Sequence, residues 1–163
     1  MGLLGFLGLV SCKELPIGAD APRLTVTDQN GAALNLAQLF STGMTLVYFY
    51  PKADTPGCTA QACGLRDSHA QLERLGVHVL GVSGDSAPAQ RQFQTRHNLP
   101  FTLVADTDKK LMDAFGVPHF FSAPKRQSFL IRNGKIVWRD LSAKTKDHVA
   151  DVLEALKRLE SKS

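Results

Sequence analysis

Hydrophobic and polar positions divide the chain into alternating strand and helix patterns. Residues 45–50 (TLVYFY) are a continuous run of apolar, aromatic and β-branched side chains, as in a strand buried on both faces. Residues 77–83 (VHVLGVS) and 101–105 (FTLVA) predict two more strands. Between these, residues 55–75 read as one helix and 86–97 as another, the latter with Ser86 at the N-cap position and Pro88 in its first turn. A short helix is predicted at about 107–115. Two hairpins are expected, one turning at Asn30-Gly31 within RLTVTDQNGAAL, the other at Asn133-Gly134 within SFLIRNGKIVW. Left-handed torsions suit that dipeptide to a two-residue turn. Residues 146–160 close the chain as an amphipathic helix, with Val149, Val152, Leu153, Leu156 and Leu159 on one stripe and Thr145 placed to cap it. Strands alternating with helices, then a hairpin and a terminal helix, predict an α/β layer sandwich with right-handed crossovers.

In open α/β sheets the reactive position commonly lies just past the carboxyl end of a strand, where a helix begins. The chain places YPKADTPGCTAQACGLRD, residues 50–67, at such a point, and the stretch holds two of its three cysteines. With 163 residues the protein is read as one domain that buries its core without disulfides or metal. Hydrophobic residues make up 44% and charged residues 21%, ordinary values that mark a globular chain. The net charge of +4 is spread out, and basic residues never run longer than a pair, so no nucleic-acid partner is expected. Three cysteines are too few for a disulfide scaffold, and a close pair plus a distant single argues for reactive chemistry in the pair.

The first residues support two readings. GLLGFLGLV, residues 2–10, is an apolar run of signal-peptide length, and it ends in LVSC, similar to a bacterial lipobox with Cys12 as the residue to be lipidated. No Lys or Arg precedes the run, which favours a plain N-terminal tail. Residues 1–14 are accordingly set apart as a tail or lipoprotein signal, and residues 15–163 as the folded domain. The location is cytoplasmic on one reading and the bacterial envelope on the other.

Thr55 suits an N-cap and Pro56 the first helical position, so Gly57 and Cys58 fall in the first turn. Cys58 then sits among unpaired backbone N–H groups at the positive end of the helix dipole, an environment that favours thiolate over thiol. Gly57 leaves the backbone uncovered, so a small substrate can approach the same N–H groups. At 100° per residue, Cys58 projects with Ala62, Leu65, His69 and Leu72 toward the sheet, whereas Cys63 projects with Asp67, Ala70 and Arg74 toward solvent. Their Cα atoms are roughly 8 to 9 Å apart on an ideal helix, beyond the limit of about 7 Å for a disulfide. A metal site is a weak competitor, because His69, the nearest histidine, lies about three turns from Cys58. Thiol-disulfide exchange on the same fold is another, although that chemistry usually uses a C-x-x-C helix start. Lys52 and Asp54 read as solubilising loop residues. Gln61 reads either as a group orienting the helix start or as a solvent-facing amide, and His78, His97, His119 and His148 are scattered without an evident partner.

Pro51, Thr55 and Cys58 fit the pattern P-x-x-x-T-x-x-C, and TPGCT followed by ACGLRD sets a second cysteine five positions on. By these residues the chain closely resembles the peroxiredoxins, specifically the peroxiredoxin Q or bacterioferritin-comigratory-protein subfamily. The likeness runs from about residue 15 to 159 and includes PKRQSFLI, where it places an active-site arginine at Arg126. The resemblance implies a thioredoxin-like three-layer sandwich with a central mixed sheet and an N-terminal β-hairpin extension. It further implies a peroxidase of the atypical two-cysteine kind, without metal or other cofactor. Cys58 would be the peroxidatic thiol and Cys63 the resolving thiol, forming an intramolecular disulfide that thioredoxin or a similar dithiol protein reduces. Hydrogen peroxide and organic hydroperoxides would be the substrates. They would be held by Thr55, Arg126 and the backbone of Gly57 and Cys58, with Pro51 shielding the thiolate. The subfamily is often monomeric, so a monomer is expected.

Overall fold

The computed structural model of the protein describes residues 13–162. The apolar run 2–10 and Cys12, with the lipidation reading attached to them, lie outside these residues. The chain forms β1 (Thr25–Thr27), β2 (Ala33–Asn35), α1 (Leu36–Phe40), β3 (Met44–Phe49), α2 (Pro56–Asp67), α3 (His69–Arg74) and β4 (Val77–Ser83). It continues through α4 (Ala87–His97), β5 (Thr102–Ala105), α5 (Lys110–Phe115), β6 (His119–Phe120), β7 (Ala123–Pro124), β8 (Gln127–Arg132), β9 (Lys135–Asp140) and α6 (His148–Glu160).

β3 runs through the middle of a five-stranded mixed sheet of order β5-β4-β3-β8-β9, parallel to β4 and antiparallel to β8. Its apolar run has the burial expected, with Leu46, Val47, Tyr48, Phe49 and Tyr50 all closed to solvent. Side chains alternate across a strand, so this one segment feeds two cores. Leu46, Tyr48 and Tyr50 pack with Cys58, Ala62, Leu65 and Leu72 and with Phe93 of α4 and Val152 and Leu156 of α6. Val47 and Phe49 pack on the opposite face with Leu36, Phe40, Leu111, Met112 and Phe115. The result is three layers, helix on sheet on helix, with the β1-β2 hairpin joining the α1 and α5 side. Both predicted hairpins form, and Asn133 and Gly134 take φ of +50° and +77°, as the tight turn between β8 and β9 requires.

Three helices differ from the pattern-based expectation. The 55–75 helix breaks at Ser68, whose φ of −101° and ψ of 4° leave helical values and separate α2 from α3. Ser and His, the residues at the break, have little intrinsic helix preference to resist it. Helix α5 starts at Lys110 rather than near 107 because Lys109 is left-handed, with φ of +64°. Its first N–H groups are satisfied instead by the Asp106 carboxylate, which accepts from Leu111 and Met112 at 3.0 and 2.9 Å. Helix α6 begins at His148 behind Asp147, so Thr145 lies outside it and does not cap it.

Phe129 meets Phe49 edge to face and Phe115 at a tilt, with ring centroids 6.0 and 4.9 Å away, in the core on the far side of the sheet from α2. Phe129→Ala should therefore cost about 3 to 5 kcal/mol in urea unfolding. The cysteine chemistry should persist in the fraction that remains folded, measured at low temperature.

Candidate active site

The end of β3 delivers the chain into a loop that α4 and the start of α2 surround. Tyr50 N–H still donates to Val82 O at 3.0 Å, and the chain then turns through Pro51 to Thr55. Asp54 takes a positive φ of 60°, uncommon for a residue with a β-carbon. Its carboxylate lies 3.3 Å from both Arg96 Nη1 and His97 Nε2 at the end of α4. Asp54 thus ties the loop to α4 rather than merely solubilising it, and the sequence carries no local sign of that partner.

Thr55 occupies the N-cap position with extended torsions and Pro56 follows, as expected. The Thr55 hydroxyl, however, makes no cap; it donates to Lys52 O at 2.7 Å. Thr59 N–H makes the first helical bond, to Thr55 O at 2.8 Å, so the N–H groups of Gly57 and Cys58 lack an intrahelical partner. Cys58 is 2% exposed, facing the core with Ala62, Leu65 and Leu72, and Cys63 is half-buried on another side of the same continuous helix. Both are free thiols.

Arg126, one residue before β8, closes the site. Its Nη2 donates to Cys58 Sγ at 3.4 Å and its Nη1 to Gln61 Oε1 at 2.6 Å. Gln61 is 1% exposed, which decides between its two sequence readings: it is a buried anchor for the guanidinium. Its position one turn beyond Cys58 was the available signal. Gly57 lies close to both groups: a β-carbon there would be 3.4 Å from Arg126 Nη2 and a tight 3.2 Å from Thr145 Cγ2. Thr145, no helix cap, instead approaches the first turn of α2. The structure therefore brings Cys58, Arg126, Gly57 and Gln61 together directly, with Thr55 and Pro51 in the adjoining loop and Cys63 further along α2.

Three of the four scattered histidines find partners in the fold. His97 holds Asp54, His119 Nε2 lies 2.8 Å from Asp113 Oδ1, and His148 Nε2 lies 2.7 Å from Ser128 Oγ. Under the loop lies a polar chain, buried at Tyr50, Gln90 and Ser83 and half-buried at Asp85, that no sequence motif revealed. It joins Tyr50, Gln90, Ser83 and Asp85 to the N–H of Ala53.

A mixed sheet with a buried thiol at the start of a helix and an arginine on its sulfur defines a thiol-based redox enzyme on a thioredoxin-like fold. The chain belongs to the AhpC/TSA family, whose model matches residues 17–139. It is similar to peroxiredoxin Bcp of Bacillus subtilis, 37% identical over 156 residues that cover 91% of this chain and 99% of that one. It is also similar to chloroplastic peroxiredoxin Q of Oryza sativa subsp. japonica, 36% identical over 154 residues, 92% of this chain and 70% of the rice protein. Among solved structures, a peroxiredoxin Q mutant from Xylella fastidiosa superposes with a TM-score of 0.84 at 26% identity, covering 91% of this chain and 99% of that one. Within the family the protein is a peroxiredoxin of the Q and Bcp subfamily, a thiol-dependent peroxidase with peroxides as substrates and a thioredoxin-like reductant.

Burial lowers the His148 imidazole to about 4, with nearby Asp140 opposing the shift and Arg126 adding to it. The folded state thus holds this ring neutral over a range in which an unfolded chain protonates it, near 6.5. Its contribution is intact above about pH 6.5 and is lost as pH falls toward 4, on the order of 3 kcal/mol in total. Urea unfolding of the wild type at pH 7 and pH 4.5 should show that loss, and His148→Gln should remove most of this part of the pH dependence.

Proposed function

We propose that Cys58 is the peroxidatic thiol and Cys63 the resolving thiol of this enzyme, that residues 15–163 form the catalytic domain, and that it works as a monomer without nucleic acid. The observation that carries the assignment is the Arg126 guanidinium, 3.4 Å from Cys58 Sγ and held from behind by Gln61. The Cys58 thiolate attacks the outer oxygen of the peroxide. An S–O bond forms as the O–O bond breaks, and the leaving oxygen takes the bond's electron pair and a proton to depart as water or an alcohol. Cys58 is left as a sulfenic acid. Stabilising charge at a helix N-terminus contributes about 2 kcal/mol at most, whereas enzymes commonly supply about 8 kcal/mol or more. The rest comes from donors fixed before the reaction. Arg126 and the N–H groups of Gly57 and Cys58 donate to the reacting oxygens. The proton of the Thr55 hydroxyl is already committed to Lys52 O, so its oxygen accepts from the O–H of the peroxide. Pro51 limits the approach of water.

The Cys63 thiol then attacks the sulfenic sulfur, forming an S–S bond while the hydroxyl leaves with the thiol proton as water. The reductant returns two electrons and two protons. Residues five apart on an intact helix are too distant for this bond, so the first turns of α2 unwind in each cycle.

One equivalent of hydrogen peroxide should convert the reduced protein to a form lighter by two hydrogens, with a peptide linking Cys58 to Cys63; two persisting thiols would overturn the assignment. Cys63→Ser should react with peroxide once and then accumulate Cys58 sulfinic and sulfonic acids on further exposure, read by mass spectrometry. Gln61→Ala, which frees Arg126 to rotate away, should slow Cys58 oxidation by roughly tenfold in stopped-flow measurements, a loss of about 1.4 kcal/mol.

A further inference from the structure

The polar chain under the catalytic loop can be read donor by donor. Tyr50 is buried, which pushes its hydroxyl up and keeps it protonated, and its O–H donates to Gln90 Oε1. The Gln90 amide nitrogen then faces the other way, donating to Ser83 Oγ and Val104 O, both at 2.8 Å. Ser83 Oγ accepts that bond and a longer one from Asp85 N–H at 3.3 Å, so its own proton goes to Asp85 Oδ2 at 2.6 Å. The same carboxylate oxygen accepts from Ala53 N–H at 2.8 Å. Both Gln90 amide protons and the Ser83 hydroxyl proton have acceptors, and the chain of donors ends on one oxygen, Asp85 Oδ2.

What that acceptor holds is a single peptide plane. The N–H of Ala53 and the C=O of Lys52 belong to the same rigid unit. Its N–H is fixed by Asp85, and its C=O receives the proton of Thr55 at 2.7 Å. If the plane rotates, the Thr55 hydroxyl loses its acceptor and can turn its proton toward the substrate, presenting a donor where an acceptor is needed. We propose that Asp85 is a positioning residue for peroxide reduction, acting through the Lys52–Ala53 peptide to keep the Thr55 oxygen an acceptor toward the peroxide. Geometry rather than charge is the operative property, because one oxygen collects both donors and a neutral amide oxygen in the same place can do so too. The inference rests on Cys58 and Thr55 having the roles assigned above.

The test measures the second-order rate constant for Cys58 oxidation by hydrogen peroxide in a Cys63→Ser background, where resolution cannot interfere. Asp85→Asn should stay within about threefold of the parent, whereas Asp85→Glu, which keeps the charge but moves the oxygen by a methylene, should slow oxidation by roughly tenfold. Asp85→Ala should lose a similar factor, with the alkylation rate of Cys58 by iodoacetamide unchanged. In a Thr55→Val background, Asp85→Glu should cost nothing further, since the group it positions is gone. Losses that multiply, a wild-type rate for Asp85→Glu, or a deficit in Asp85→Asn equal to that of Asp85→Glu would each overturn the proposal. A wild-type rate for Thr55→Val would instead remove the assigned role of Thr55 and the inference with it. Peroxide reduction surviving Cys58→Ser would remove the underlying cysteine assignment, so the failures are distinguishable.

Discussion

The contact between Arg126 and the Cys58 sulfur depends on the register of two strands. β8 pairs antiparallel with β3 so that Gln127 lies opposite Phe49, and Arg126 is thereby carried to the end of the sheet where β3 releases the chain into α2. That register is held by burial on both faces: Phe129 and Ile131 point into one core and Leu130 into the other. A slip by one residue would exchange these faces and turn Arg126 away from the thiol. The two cores therefore do more than stabilise the sheet, because they decide which cation meets which sulfur.

Helix α2 is asked for two incompatible things, and its construction suits both. Its inward side, with Cys58, Ala62 and Leu65, is anchored in the core, while Cys63 and Gly64 lie on partly open surface. Contacts outside the reactive turns tether it at each end. Arg66 Nη1 donates to His97 O at 2.8 Å, and Asp54 reaches the His97 ring and Arg96 on the other side. The segment between the two cysteines is bracketed by residues that α4 holds, so the proposed opening of the helix would be confined to it.

Much of this was legible in the chain. The strands at 45–50, 77–83 and 101–105 and the hairpin at Asn133-Gly134 announced themselves through periodicity and turn chemistry, and the Thr-Pro-Gly-Cys start of α2 through capping rules. Arg126 was legible only through likeness to a family, since nothing in its neighbourhood distinguishes it from other arginines. Gln61 was half legible: its spacing from Cys58 pointed inward, yet an amide one turn along a helix is as often solvated. Asp54, His97 and His148 were not legible as partners because each bond joins residues far apart in the chain. The break at Ser68 and the late start of α5 were missed for a related reason. One follows a weak local preference, and the other a carboxylate at Asp106 reaching forward to cap a helix it does not adjoin.

The sequence by itself determined the alternation of elements, the two-sided burial of β3, and the chemistry of a thiol at a helix start with a second thiol held away from it. These follow from local rules in which each residue reads only its near neighbours. Only the tertiary structure decided what faces the sulfur and what fixes the loop beside it. Arg126 is 68 residues from Cys58 and Asp85 is 32 residues from Ala53, and both contacts exist because the C-terminal ends of β3 and β4 and the start of β8 lie at the same end of the sheet. Hydrogen bonds act over about 3 Å, so their partners are chosen by where packing leaves the backbone.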